Sequence, residues 1–290
     1  MKEKTFMITG ANSGLGLETA IRLAKKGGRI ILACRDPEKG SVARETVVKA
    51  SGNERNVVMP LDLSSMASVR RFAAGIKDDG VILSGLDCNA GIAGFADGVS
   101  EDGYDLIFAT NHLGHFLLTL LLLPSMEENA RIVMISSEVH NPPDETLVWP
   151  GVDALVEGSV SQRDRYRMSK LSNLYFTYEL ARRLRADSSK ITVNAFNPGA
   201  LPETNLGGRK KTQEEIEARR NAPGMEYWLG DLSTSAQAVA DLLTEPEFEG
   251  ISATYYDRGT KAIPSSELSY SQENALELWN ESLRLCGLER

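Results

Sequence analysis

Tyr166 and Lys170 lie four residues apart, a spacing that puts both side chains on one face of a helix. A phenol beside an ammonium can move a proton. A free tyrosine titrates near ~10, too high for efficient transfer at neutral pH. At about 4 Å and an effective dielectric of ~20, the ammonium favours the phenolate by roughly 4 kcal/mol before desolvation is counted. That is enough to draw the hydroxyl toward working pH. Taken alone, such a pair ordinarily faces solvent. His112 and His115 are three apart, but no third ligand cluster accompanies them, so packing explains them better than a metal. Cys88 reads as buried packing rather than a nucleophile.

A second constellation concerns phosphate. Thr9-Gly10-Ala11-Asn12-Ser13-Gly14-Leu15-Gly16 separates a short apolar run from a helical pattern. Glycines there permit a tight turn and close backbone approach to a pyrophosphate, and a helix N-terminus offers free N–H groups. The spacing is G-x3-G-x-G, and its placement between strand and helix is what gives it weight. After the next strand comes Cys34-Arg35-Asp36. An acid at that strand end binds a ribose 2′-hydroxyl, whereas an arginine nearby accommodates a 2′-phosphate. Cys34 holds the acidic place, so Arg35 points to NADP(H) as the cofactor, and Asp36 reads as the cap of a helix starting at Pro37.

These residues need a scaffold. Apolar runs predict strands over Thr5–Thr9, Arg29–Cys34, Val57–Leu61, Leu83–Cys88, Arg131–Ser136, Ile191–Phe196 and Ile251–Tyr256. Between them lie helical patterns: Leu15–Lys26, stretches from Pro37 and Ser65, a long one ending near Pro124, and one carrying Tyr166. Short apolar strands alternating with helices imply an α/β fold: one doubly wound parallel sheet of about seven strands, with helices on both faces. A single domain spans 1–290, ending in a helical tail near 271–288. Segments near 140–164 and 199–230 break the rhythm just after strands, where ligands bind in such sheets. They contain or adjoin Phe95, Trp149, Met225, Tyr227 and Trp228, which suggest a medium-sized apolar substrate.

Composition narrows the class. The 290 residues are 42% apolar with net charge −8, which disfavours nucleic acid as a partner. Three scattered cysteines suit a reducing compartment. The start, MKEKTFMITG, runs straight into a strand pattern, and the apolar run near Leu117–Leu123 is short for a membrane span of roughly 20 residues. A cytoplasmic protein without a membrane span is expected.

The chain resembles the short-chain dehydrogenase/reductase family. The motifs are TGANSGLG at Thr9–Gly16, LDL at Leu61–Leu63, CNAG at Cys88–Gly91 and TNHLGHF at Thr110–Phe116. ISS at Ile135–Ser137, YRMSK at Tyr166–Lys170 and NPG at Asn197–Gly199 complete the series. ACRDPEKG at Ala33–Gly40 and the tail around Asn274–Leu288 resemble the branch of retinol dehydrogenases and light-dependent protochlorophyllide oxidoreductase. The resemblance implies a Rossmann-type fold and hydride transfer between NADP(H) and a small organic substrate. It implies that Gly10, Asn12, Ser13, Gly14, Leu15 and Gly16 cradle the cofactor, and that Asp62 and Leu63 flank its adenine. Asn89, Ala90 and Gly91 pass beneath it, and Pro198 and Gly199 lie beside the nicotinamide. Tyr166 then acts as acid/base, Ser137 orients the substrate oxygen, Lys170 holds the nicotinamide ribose, and Asn111 holds a water linking Lys170 to solvent. A reductase of a C=C bond is the alternative reaction, although Ala200 and Leu201 stand where the photoenzyme has a cysteine. A non-catalytic NADP-binding sensor is the alternative class, although Ser137, Tyr166 and Lys170 are all retained. Many members assemble through the helices holding Asn111 and Tyr166, and the tail can alter that contact in a homo-oligomer.

Overall fold

The structure, a computed structural model, describes residues 4–94, 98–206 and 211–289. Seven parallel strands are β1 (Thr5–Thr9), β2 (Arg29–Cys34), β3 (Val57–Pro60), β4 (Leu83–Cys88), β5 (Met126–Ile135), β6 (Thr192–Asn197) and β7 (Tyr255–Asp257). An eighth, β8 (Lys261–Ile263), pairs antiparallel with β7. The sheet order is β3-β2-β1-β4-β5-β6-β7-β8. The sequence expectation of about seven strands misses β8, whose three residues are largely exposed and carry no apolar run. β5 also begins five residues before the expected Arg131, through the polar Met126–Ala130.

The helices are α1 (Gly14–Lys25), α2 (Pro37–Ser51), α3 (Met66–Asp78), α4 (Leu106–Phe108), α5 (Gly114–Leu122), α6 (Val152–Val156), α7 (Gln162–Ala186), α8 (Gln213–Arg220), α9 (Leu232–Thr244) and α10 (Gln272–Leu285). Neighbouring residues of one strand feed opposite cores, as strand alternation requires. Phe6 and Ile8 pack with Ala20, Leu23, Val47, Val239 and Leu243 under α1, α2 and α9. Met7, between them, joins Leu86, Ile132, Phe116 and Leu171 on the other face. Both faces are covered, which is why β1 and β2 read as nearly continuous apolar runs.

The strand order reverses between β1 and β4, so the turns leaving these two strands diverge and open a crevice at their carboxyl ends. The loops after β5 and β6 rise from the same edge.

The apolar segment before β5 is longer than Leu117–Leu123. Leu106–Ser125 is continuous helix, long and apolar enough to cross a membrane, yet 72% of its most apolar window is buried inside the protein. Phe116, Leu117, Leu118 and Leu122 account for this by packing into the core. Its path is not uniform: a π turn over Ala109–Leu113 separates α4 from α5. At Gly114 the helix presses on the Leu63 carbonyl, where an added Cβ would fall 2.2 Å from the oxygen. That contact explains why a glycine follows His112 and Leu113 here.

The tail helix α10 lies along α7. Trp279 stacks on Phe176 and meets Phe116 edge-on, and the Arg183 guanidinium covers its ring at 4.3 Å. The 140–164 segment, expected as a loop beside the site, is largely tied to this packing. Val152 and Leu155 of α6 are core residues. Trp149 meets Tyr175 edge-on and donates to Glu277 of α10 at 2.7 Å. Trp149 therefore secures the tail.

Candidate active site

The turn after β1 is shaped by positive φ angles and by close contacts with Asn89, Ala90 and Thr204 that favour glycine. Gly10 and Gly14 have φ of +65° and +55°, in the left-handed region. A Cβ on Gly16 would sit 2.5 Å from Asn89 Nδ2 and 2.9 Å from the Gly10 carbonyl oxygen. Ser13 stands extended at the N-cap of α1 without a side-chain cap bond, which leaves the first-turn N–H groups available to an anion. Asn12, Ser13 and Gly14 are half-buried at the crevice, while Leu15 and Gly16 are buried against the sheet.

The turn after β4 is fastened to the first one. Asn89 Nδ2 donates to the Thr9 carbonyl at 2.8 Å, and the Ala90 N–H donates to Thr9 Oγ1 at 2.9 Å. Thr9 Oγ1 also lies 2.9 Å from His115 Nε2, and His115 Nδ1 lies 3.1 Å from the Asn111 carbonyl. Burial pushes His115 down to about 4, so it is neutral near pH 7. Its Nδ1–H then donates to Asn111, and Nε2 accepts from Thr9. His112 turns elsewhere, bonding Ser282 of α10 at 3.0 Å and stacking on Phe108. The two histidines are packing and positioning groups with separate partners.

Asn111 sits in the π turn, fully buried. Its side chain accepts from the Ile92 N–H at 2.8 Å and donates to the Ile92 carbonyl at 2.9 Å, pinning the strand end beyond Gly91. It also donates to Ser169 Oγ at 2.9 Å, which in turn donates to the Tyr166 carbonyl at 2.8 Å. Asn111 thus ties the β4 end to the start of α7.

At the end of β5, alternation sorts the two serines as expected. Ser136 is buried and donates to the Lys170 carbonyl at 2.9 Å, stapling α7 to the strand. Ser137 is half-buried and turns to the crevice, where it hydrogen-bonds with Tyr166. Lys170 is 3% exposed, donates to the Ile135 carbonyl at 3.1 Å, and lies 5.5 Å from the Tyr166 ring centre. Gly91 adjoins both Asn111 and Lys170: a Cβ there would lie in ordinary contact, 3.4 Å from Asn111 Oδ1 and 3.5 Å from Lys170 Nζ.

The electrostatics differ from the sequence expectation. Burial pushes the Tyr166 phenol above its ordinary value, the Glu138 carboxylate adds to this, and the Ser137 hydrogen bond opposes it. Lys170 is not among the groups that shift the phenol: its ammonium is turned to the Ile135 carbonyl, and burial lowers the lysine itself to about 8. Desolvation outweighs the charge pair at this geometry.

Pro198 and Gly199 follow β6. Asn197 Oδ1 accepts from the Gly199 N–H at 2.9 Å, and Asn197 Nδ2 donates to Asp257 Oδ1 at 2.7 Å. Gly199 has φ +71°, and Gly230 packs so tightly that its Cβ would fall 1.9 Å from the Pro198 carbonyl oxygen. The far end of the 199–230 segment returns here by a bridge between Ala200 and Leu229. Within it Tyr227 meets Trp228 edge-on and lies under the Arg258 guanidinium. Phe95 lies outside the described residues.

Arg35 is exposed just past β2. Asp36 is committed to α2: its carboxylate accepts from the N–H groups of Glu38 and Lys39 at 3.0 and 3.1 Å. Asp62 is half-buried and accepts from Ser64, whereas Leu63 joins the core. Sequence reasoning missed Glu138, Gly230 and Arg258. Gly230 could have been found, since it immediately precedes Asp231, the N-cap of α9. Glu138 and Arg258 carry no local signal.

A doubly wound sheet, an open phosphate-binding helix end and a tyrosine–lysine–serine group on one edge define an oxidoreductase of the dinucleotide-binding class. The profile of the family "short chain dehydrogenase" matches residues 4–147. Human Retinol dehydrogenase 13 is 37% identical over 293 residues, spanning 99% of this chain and 85% of that protein. The crystal structure of an uncharacterized protein from Mycobacterium paratuberculosis is 31% identical with a TM-score of 0.75, covering 98% of this chain and 93% of that one. A 3-ketoacyl-(acyl-carrier-protein) reductase from Brucella melitensis, complexed with NADH, is 25% identical with a TM-score of 0.65, covering 88% and 96%. The chain belongs to the short-chain dehydrogenase/reductase family, in its retinol-dehydrogenase-like branch. It is an oxidoreductase of a family that binds a nicotinamide cofactor.

Proposed function

We propose that this chain is an NADP(H)-dependent carbonyl reductase or alcohol dehydrogenase acting on a medium-sized apolar substrate. The observation that carries the reading is the convergence of Ser137, Tyr166 and Lys170 beside a helix end whose first-turn N–H groups are open. The same residues fit the cofactor. Glycines 10, 14 and 16 let the turn close tightly against Ala90, Thr204 and Asn89 so that its backbone can approach a pyrophosphate, and Gly91 adjoins Lys170 Nζ, which would hold the ribose hydroxyls. Preference for the 2′-phosphate rests on Arg35, with Asp36 withdrawn into capping α2.

Bound NADPH would supply the hydride. Tyr166 gives its phenolic proton to the substrate oxygen, and Ser137 holds that oxygen within reach. Lys170 holds the ribose, and Asn111 fixes the turn that carries Gly91 and Ile92 past it. In oxidation Tyr166 takes the proton back. An apolar alcohol or aldehyde is favoured by Tyr227 and Trp228 beside the Pro198–Gly199 turn, and by relatives named as retinol dehydrogenases. Since α10 covers α7, self-association through that helix would require the tail to move.

The test follows NADPH absorbance in the dark with a panel of apolar aldehydes and ketones, using Tyr166→Phe as control. Tyr166-dependent consumption supports the reading. Tight NADPH binding with no consumption of any carbonyl overturns it and directs attention to conjugated C=C substrates.

A further inference from the structure

We propose that Glu138 is a positioning residue that decides where the single hydrogen of Ser137 points, and so whether Ser137 can donate to a substrate oxygen. The proposal rests on the role given above to Ser137 and Tyr166.

Glu138 opens the 3-10 turn Glu138–His140 that leaves β5. It is 7% exposed, an unusual place for a carboxyl group. Ser137 Oγ donates to Glu138 Oε2 at 3.3 Å, and Glu138 also faces the Tyr166 phenol. From β6 the Asn197 side chain hydrogen-bonds to it. Just beyond β7, Arg258 attracts it, whereas Asp257 at the end of that strand repels it and Tyr255 faces it from the start of the strand. Burial is the largest influence and pushes Glu138 above the usual carboxylate range.

His140, in the same turn, does not titrate alongside it. Burial pushes His140 down to about 4. Its Nδ1 faces the Ser137 carbonyl, and its Nε2 accepts from the Ser266 N–H at 3.2 Å, so the neutral ring carries its proton on Nδ1. His140 thereby anchors the Ser137 backbone, while the Ser137 hydroxyl oxygen accepts from the Val139 N–H at 3.5 Å, which leaves a second lone pair and the hydrogen to be directed.

A hydroxyl has one hydrogen and two lone pairs. While Glu138 is ionised, its oxygen takes that hydrogen, and Ser137 can only accept from other partners. Once Glu138 is protonated, its own O–H donates to Ser137 Oγ. The Ser137 hydrogen is then released toward the substrate carbonyl, giving a donor chain from acid to serine to substrate. The ionised form also opposes proton release from Tyr166, because it disfavours a nearby phenolate. Both effects act together: reduction is favoured with Glu138 neutral.

The experiment uses the full chain with NADPH, in two arms. The infrared carboxylic-acid band of Glu138, isolated as native minus Glu138→Gln, is followed against pH without substrate. Ser137→Ala should let that band persist to higher pH, since the ionised form loses a donor; the Ser137→Ala minus native difference shows the same change if Glu138→Gln does not fold. In the second arm, the native reductive kcat should fall as the band disappears. Glu138→Gln should keep kcat within about threefold and abolish that fall, and Glu138→Ala should lower kcat roughly tenfold with less effect on KM. A band that ignores Ser137→Ala, or a Glu138→Gln profile identical to the native one, overturns the proposal. A chain with no Tyr166-dependent turnover sinks the functional reading instead, while the infrared arm still decides the role of Glu138.

Discussion

Along the carboxyl edge of the sheet, the turns after β1 and β2 are short and the chain leaving β4 is fastened to the first of them around glycines, whereas the segments after β5 and β6 are long and work through side chains gathered from several elements. On the first side, Gly10, Gly14 and Gly16 shape the turn by what they lack, and its fixed bonds run between Asn89, Ala90 and Thr9. On the second side, Ser137, Glu138, Tyr166, Asn197 and Asp257 meet from separate elements. A backbone-built region tolerates no added atom but is indifferent to most chemistry nearby. A side-chain-built region tolerates atoms but not the loss of a proton or a hydrogen bond. Binding and turnover should therefore separate under mutation.

The largest effect is expected on the side-chain half. Tyr166→Phe should lower kcat by about 10²–10⁴-fold while NADPH affinity, read from nucleotide fluorescence, stays near native. Lost binding of equal size would erase the distinction between the halves. Next comes Gly16→Ala. Its Cβ meets the backbone Gly10 carbonyl and Asn89 Nδ2, which is held by its bond to the Thr9 carbonyl, so NADPH affinity should fall by roughly 10–100-fold and stability by ~1–3 kcal/mol. An unchanged dissociation constant would show that the turn has slack.

Arg35→Ala sharpens the comparison further, because it removes a side chain from the backbone-built half. An exposed charge-assisted contact of about 1.5 kcal/mol predicts a loss near tenfold for NADPH and none for NADH. Equal losses for both cofactors would remove the case for a 2′-phosphate site.

The last effect leaves binding and turnover aside and concerns stability alone. Asp87 in β4 is fully buried, and neither carboxylate oxygen has a hydrogen-bond partner among the described residues. Its strand neighbours are Ile8 and Val133. Burial raises its carboxyl well above the ordinary value. A raised folded value means that proton binding favours the fold. That stability is fully present below the unfolded value near ~3.9 and is lost as pH rises through the folded one. Asp87→Leu should therefore stabilise by about 1–3 kcal/mol near neutral pH, with the gain in Tm over native shrinking toward pH ~4. A gain of equal size at both pH values would point to packing instead of charge.

Much of this architecture was legible because it rests on local chemistry. Three strands, Thr5–Thr9, Arg29–Cys34 and Leu83–Cys88, agree with the expected bounds to the residue, since each is closed by a polar or glycine residue and the first two carry a continuous apolar centre. Asp36 as a cap follows from the Pro37 beside it. The opposite orientations of Ser136 and Ser137 follow from strand geometry alone. Other features depended on residues distant in the chain. Trp149 was expected near substrate and instead binds Glu277, which lies 128 positions away. Lys170 was expected to lower Tyr166, but the balance turned on desolvation, which no spacing reveals. Glu138 is unremarkable in sequence, and only the folding of β6 and β7 beside it creates its setting. Periodicity and turn chemistry act within a few residues, so the sequence by itself determined the layers, the strand order's raw material and the glycine turn. Burial and charge are sums over neighbours from every part of the chain, and only the tertiary structure decided which protons the site can hold.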